Sequence, residues 1–378
     1  MEKEKRRKKQ SVELKDKIMK TKTLLLITAA AMLGLFIIFP NHESTPPQEQ
    51  RVSGITSPIT QPPSKNSLDD AINAISKEEL KKDLYYLASD ELKGRMTGEQ
   101  GNVQAAEFIK KRLIEYELQV EYQPFNAGGR ATNNVIGWLE GENTNEIVVV
   151  GAHFDHLGMK NGGIYNGADD NASGTVAVIQ MAKAFSLLKD ELKRTVVFQL
   201  YSGEEMGLLG SQYYCNNPTF PRKNPNIKNH IFMLNLDMIG YMDNGQDYAN
   251  FFRTAHNTNY ANTSFDLLQI REELNQKYPF AKAITKTGGG GSDHQSFSNK
   301  GVPTLWLFTG THSNYHRTTD TAEKINYDSM EKITKYGFEL LWKITQSDMT
   351  PVFNKECCKY LPIKNDHNHP NVPFPTQY

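Results

Sequence analysis

The segment spanning residues 147–177, IVVVGAHFDHLGMKNGGIYNGADDNASGTVA, concentrates side chains that bind metal or move protons. An apolar, β-branched run ends at His153, with Asp155 and His156 just beyond it. A Gly-rich stretch then leads to Asp169, Asp170 and Asn171. Three further stretches repeat the pattern of an apolar run that stops at ionisable groups. Glu204 and Glu205 follow 195–201, Asp237 follows 231–236, and His312 and His316 follow 304–308. A lone Asp at such a point is more often a turn former or helix cap, and a lone His is more often a structural residue. Four strand ends that all carry His or carboxylate are poorly explained that way. Mixed imidazole and carboxylate donors suit catalytic zinc, and open sheets of strands and helices bind ligands beyond the carboxyl ends of their strands.

These residues need a scaffold that brings the strand ends together. Strands are expected at 134–139, 147–150, 195–201, 231–236 and 304–308, and helices at 101–116, 172–188, 267–276 and 327–345. Ser67 to Asp70 has the spacing of a capping box, ahead of a helix running to about Ala88. The alternation predicts an α/β fold, a three-layer α/β/α sandwich around a mixed, largely parallel sheet buried on both faces. No repeat and no composition shift divides 67–348, which is read as one domain.

The chain has 378 residues, of which 38% are hydrophobic and 23% charged, with a formal net charge of zero. The composition is globular, and no basic face argues for nucleic acid. The basic residues cluster at the N-terminus, where residues 1–22 hold ten Lys or Arg. The uncharged apolar segment 23–39 follows, as in a signal peptide or an uncleaved signal anchor. Export to a periplasmic or extracellular location is expected, with membrane attachment if the segment is retained. Residues 40–66, rich in Pro, Ser, Thr and Gln, read as a flexible linker, and 349–378 as an irregular tail. Three cysteines, two of them vicinal at Cys357 and Cys358, do not make a disulfide framework.

Six motifs in order carry a resemblance to a known family: GAHFDH from Gly151, GADDNASG from Gly167, GEEMGLLGS from Gly203, NLDM from Asn235, GSDH from Gly291 and YHRTTD from Tyr315. Over about residues 80–345 the chain resembles metallopeptidase family twenty-eight, the co-catalytic di-zinc aminopeptidases, which also includes the glutaminyl cyclases. The resemblance implies a zinc-exopeptidase-like fold and two zinc ions. Asp169 would bridge them, His153 and Asp237 would complete one site, and Glu205 and His316 the other, with Glu204 as general base. It also implies a cis peptide at Asp169–Asp170.

A shared carboxylate holds two cations close and makes a water between them acidic. Adjacent residues point different ways, so Glu204 is free to move a proton if Glu205 holds metal. Asp155 suits an acceptor that fixes the His153 imidazole. Asp170, Asp293 and His294 are expected to support the site or line the substrate pocket. Tyr315 is placed either at a tetrahedral oxyanion or in simple packing. His156 is expected outside the metal sphere, which the motif already fills. His316 is preferred to His312 because Asp320 follows it in the family's pattern.

The expected activity is removal of the N-terminal residue from peptides with a free α-amine. The alternative is a glutaminyl cyclase using a single zinc.

Overall fold

The computed structural model describes residues 66–241, 265–278 and 291–353. The expected apolar segment 23–39, almost all of the linker and most of the tail lie outside the described residues. Among those described, no helix is long and apolar enough to cross a membrane.

The capping box at Ser67 forms. The Asp70 amide donates to Ser67 Oγ at 3.1 Å and the Ser67 amide to Asp70 Oδ2 at 2.8 Å, opening α1 (Leu68–Ala74). The helix does not continue to Ala88 as expected. Ser76 starts α2 (Lys77–Leu87) by accepting the Glu79 amide at 3.2 Å, and a hydroxyl that satisfies an orphan amide competes with helix continuation. Helix α3 (Gln100–Glu115) leads into a hairpin of β1 (Gln119–Ala127) and β2 (Arg130–Leu139). Strand β1 escapes the sequence reading because it lies at the sheet edge, where polar residues and Pro124 are tolerated.

The remaining elements are β3 (Asn143–His153), the short hairpin β4 (Gly158–Lys160) and β5 (Gly163–Tyr165), and α4 (Gly174–Ser186). They continue with β6 (Arg194–Tyr201), α5 (Leu209–Asn216), β7 (His230–Leu236) and α6 (Phe265–Lys277). The last are α7 (His294–Ser298), β8 (Thr304–Leu307) and α8 (Tyr327–Gln346). The main sheet runs β1-β2-β6-β3-β7-β8, antiparallel at β1, β2 and β6 and parallel from β6 through β8. This is the expected mixed, largely parallel sheet.

Strand alternation sends Val148 and Val150 to one face, against α4 and α8, and Ile147 and Val149 to the other, with Tyr214, Cys215 and Phe297 from α5 and α7. Each face of β3 is thereby sealed, as expected for a parallel strand read as a continuous apolar run. Because β6 and β7 flank β3 and all three run parallel, their carboxyl ends open on the same side. The chain leaves β3 for β6 on one flank and returns to β7 on the other. A crevice opens where the strand order reverses in this way.

His230 begins β7 and gives a stability prediction remote from that crevice. Its Nδ1 faces the Asn226 carbonyl at 3.3 Å, so that nitrogen carries the hydrogen, and Nε2 accepts from the Tyr214 hydroxyl at 2.7 Å. Burial pulls its pKa down to about 4. The unfolded chain would protonate it near 6.5, so between pH 6.5 and 4 the unfolded state binds a proton that the folded state refuses. Stability is therefore expected to fall with pH across that window by up to about 3 kcal/mol from this residue. Denaturant unfolding at several pH values should show a shallower decline in His230→Gln. An identical slope in both proteins would refute the assignment.

Candidate metal centre

The crevice is built from five polypeptide segments. His153 is the last residue of β3, Glu204 and Glu205 lie in the turn after β6, and Asp237 follows β7. Asp170 lies in the wide turn of residues Ala168–Ser173 before α4, and His316 in the loop after β8. His153, Glu204 and Asp237 present donor atoms within 4.8 Å of one another, as do His156, Asp170 and Glu205.

Asp170 stands between the two groups. Its Oδ1 lies 3.5 Å from His153 Nε2, which is also 3.5 Å from Asp237 Oδ1. Its Oδ2 lies 3.0 Å from His316 Nε2, which is 3.3 Å from Glu205 Oε2. Two donors on one tetrahedral zinc, each at about 2.0–2.1 Å, are about 3.3 Å apart, so these separations match the edges of two coordination shells that share Asp170. The structure thus sets Asp170, rather than the expected Asp169, between the two groups. Asp169 turns away, its Oδ1 accepting the Gly240 amide at 2.7 Å and its Oδ2 facing His312 Nε2 at 3.1 Å. Its carboxylate is already satisfied by those groups, and successive side chains in this turn point in different directions. The non-proline cis peptide likewise falls at Asp170–Asn171, one bond beyond the expected Asp169–Asp170.

Charge supports the fit. The side chains of Asp170, Glu204, Glu205 and Asp237 are 5, 11, 7 and 8% exposed, and Asp237 Oδ1 is buried without a hydrogen-bond partner. Burial pushes Glu204 well above the usual carboxylate range, and neighbouring Glu205, Asp237 and Asp293 add to the shift. Burial also raises Asp170, with Glu205 adding to it. For Glu205 burial acts upward, yet hydrogen bonds from His156 and His316 hold it well below that range. So many acids in one dry site require compensating cations.

Supporting contacts fix these groups. Asp155 reaches across from the end of β3 to accept the amides of Glu204 at 3.2 Å and Glu205 at 3.3 Å, and the Thr97 hydroxyl at 2.8 Å. His153 Nδ1 instead faces the Asp155 backbone carbonyl at 3.2 Å, with the nearer carboxylate oxygen at 3.8 Å. Asp155 thus aims the two glutamates more directly than it aims the imidazole. Asp320 accepts the Asp169 and Asp170 amides at 3.0 and 3.1 Å, tying the Asp170 turn to the loop that carries His316. Buried Arg95 donates to the carbonyls of Phe154, Leu87, Asn166 and Gly167 and pins both ends of the segment between β3 and that turn. Asn171, beside Asp170, donates to the Leu236 carbonyl at 2.9 Å and accepts the Met238 amide at 3.2 Å. Arg95 and Thr97 escaped the sequence reading because nothing local distinguishes them. The position of Asp320 after His316 was the one available signal.

The remaining candidates surround this cluster. His316 points into it with a left-handed backbone (φ 56°), an uncommon conformation for a residue with a side chain and one that collects at functional sites. His312 pairs with Asp169 and stacks on Tyr241, their ring centroids 3.5 Å apart. The Tyr315 ring stacks on His316 at 3.8 Å, and burial raises its hydroxyl pKa. Asp293 and His294 are fully buried. Asp293 is close enough to feel His153, Asp155 and Asp237, and burial pushes it up; His294 stacks on Trp306 at 4.8 Å, and burial pulls it down to about 4. His156, expected outside the metal sphere, sits fully buried with Nδ1 2.8 Å from Glu205 Oε1.

Comparison with known proteins agrees with this geometry. Residues 134–341 match the sequence model of peptidase family M28. The chain is 30% identical over 287 residues to a probable leucine aminopeptidase of Arthroderma benhamiae, covering 71% of this chain and 73% of that protein. Its fold superposes on an aminopeptidase from Aneurinibacillus sp. strain AM-1 with a TM-score of 0.62 at 15% identity, covering 76% of this chain and 98% of that one. A glutaminyl cyclase from Porphyromonas gingivalis superposes with a TM-score of 0.59 at 16% identity, covering 72% and 99%. The family match across the sheet, the fungal relative and the His-carboxylate crevice together establish that this chain belongs to peptidase family M28, as a metallo-aminopeptidase.

Proposed function

We propose that the protein removes the N-terminal residue of peptides using two zinc ions shared by Asp170, with Glu204 as the general base. The observation that carries this reading is the pair of donor groups meeting at one carboxylate, spaced as two tetrahedral shells would be. His153 and Asp237 would hold one ion and Glu205 and His316 the other. Zinc bound there would polarise the scissile carbonyl and acidify a water at its side.

The protein residues do the rest. Glu204, 3.9 Å from His153 Nε2 and held by Asp155 through its amide, is placed to take the proton from the attacking water and return it to the leaving amine. Burial in the crevice excludes bulk solvent and strengthens each of these electrostatic contacts. Export rests on the basic and apolar N-terminal sequence, and peptides outside the cytoplasm are the matching substrates.

The substrate α-amine is part of the proposal. Asp155, Glu204, Glu205, Asp237 and Asp293 join Asp170 in the same region, more acid than two dications and a water need. A surplus of negative charge favours a cationic group, and the cation common to all peptides is the N-terminal ammonium. Holding it places the first peptide bond over the reacting water. Steady-state assays of a peptide and its N-acetylated twin should show cleavage of the free peptide alone, one residue at a time. Comparable rates for both, or internal cutting, would defeat the exopeptidase reading. Cyclisation of an N-terminal glutamine peptide without hydrolysis would favour a cyclase.

A further inference from the structure

The two shells described above are complete without His156, although its Nδ1 lies within 4.8 Å of donor atoms of Asp170 and Glu205 and the ring is wholly buried beside them. Its Nδ1 lies 2.8 Å from Glu205 Oε1 and 3.7 Å from Asp170 Oδ2. The shorter separation is that of a charge-assisted hydrogen bond and is shorter than each of the four ligand separations given above. The two oxygens of Glu205 also face different neighbours, since His316 lies against Oε2.

The far side of the ring separates a hydrogen-bond donor from a ligand. His156 Nε2 is buried with no hydrogen-bond partner. If Nδ1 bound metal, the proton would have to sit on Nε2, leaving a buried N–H unmet, whereas ligating histidines ordinarily give that hydrogen to an acceptor. With the hydrogen on Nδ1, the ring instead makes one strong bond to a carboxylate. The ring is held in place from both sides. His316 packs on it edge to face, at 5.8 Å between centroids. Gly167 (φ +56°) backs it so closely that an added Cβ would lie 2.4 Å from His156 Cγ. Arg95, bonded to the Gly167 carbonyl, keeps that wall in position, and its own carbonyl receives the His156 amide at 3.4 Å.

We infer that His156 is a positioning residue: it donates Nδ1–H to Glu205 Oε1 and so commits Oε2 to the metal shell completed by His316 and Asp170. This rests on the two-zinc reading above and deepens it by making the two sites unequal. The Glu205 site thereby gains a carboxylate whose outer oxygen is held by a fully buried imidazole.

The test is zinc titration of the metal-stripped full-length protein against a chromophoric chelator, which reads the two affinities separately from activity. His156→Ala is expected to bind two ions still, with one affinity weakened about 10- to 100-fold and the other unchanged. His156→Asn, whose amide nitrogen can occupy the place of Nδ1, is expected to restore the weakened affinity to within a few-fold of the original. Thermal unfolding in chelator controls for folding. A stoichiometry of one in His156→Ala would make His156 a ligand and overturn the inference. Unchanged affinities in His156→Ala would also overturn it, as would an Asn variant no better than Ala. A wild-type stoichiometry of one would overturn the two-zinc reading and this inference with it, so the two failures are distinguishable.

Discussion

Glu204→Gln is expected to retain two zinc ions per chain and to lower kcat by about 10²- to 10⁴-fold, the usual contribution of a general acid-base group. The carboxylate sits beside the shells without completing either. His153 Nε2 is 3.9 Å from it, against 3.5 Å for both Asp170 and Asp237. A glutamine side chain keeps the shape and removes the proton acceptor. Glu205→Gln should do the reverse, because Oε2 lies 3.3 Å from His316 Nε2 at ligand spacing. Its main consequence should be weakened metal binding, with activity recovering at high zinc. Elemental analysis together with steady-state kinetics on both variants decides the matter. Metal loss in Glu204→Gln and a pure rate defect in Glu205→Gln would exchange the two roles.

The second large effect is expected at Asp170. Each of its carboxylate oxygens faces a different shell, so Asp170→Asn should compromise both metal sites at once. An amide presents one oxygen where the carboxylate presents two, and it brings no charge to offset two dications. Zinc content well below two ions per chain and loss of activity are expected together. Asp169→Asn serves as the neighbouring control. Its Oδ1 accepts the Gly240 amide, which an Asn oxygen can still do, and its other oxygen meets His312 outside the shells. That variant should keep both ions. If Asp169→Asn empties both sites while Asp170→Asn leaves them filled, the bridging carboxylate is Asp169 after all.

The exchange of Asp169 for Asp170 marks where sequence reading runs out. Two adjacent aspartates in GADDNASG are chemically identical as letters. Which of them faces the crevice depends on the backbone of one turn, where Asp320 takes both amides and Gly240 claims one carboxylate. From Asp169, those partners lie 151 and 71 residues away in the chain. The same limit hid His156. As the second histidine of HFDH it was assigned no role, because only the fold brings Glu205 to within 2.8 Å of it.

What the sequence determined by itself was whatever local chemistry encodes. Continuous β-branched runs marked the buried parallel strands, and the Ser67 hydroxyl with Asp70 set a helix start. His153, Glu204, Glu205 and Asp237 stood out because each follows an apolar run, and such runs must end at the rim of a sheet, whereas His316 was separable from His312 only by the family pattern that ends at Asp320. The tertiary structure decided the rest: the polar edge strand β1, the Ser76 break, the anchoring of the site by Arg95 and Asp320, and which oxygen of Asp170 faces His153 and which faces His316. The physical reason is one of range. Strand and cap signals act over a few residues, whereas the direction of a buried carboxylate is set by whichever distant amide or imidazole the fold places within hydrogen-bond reach.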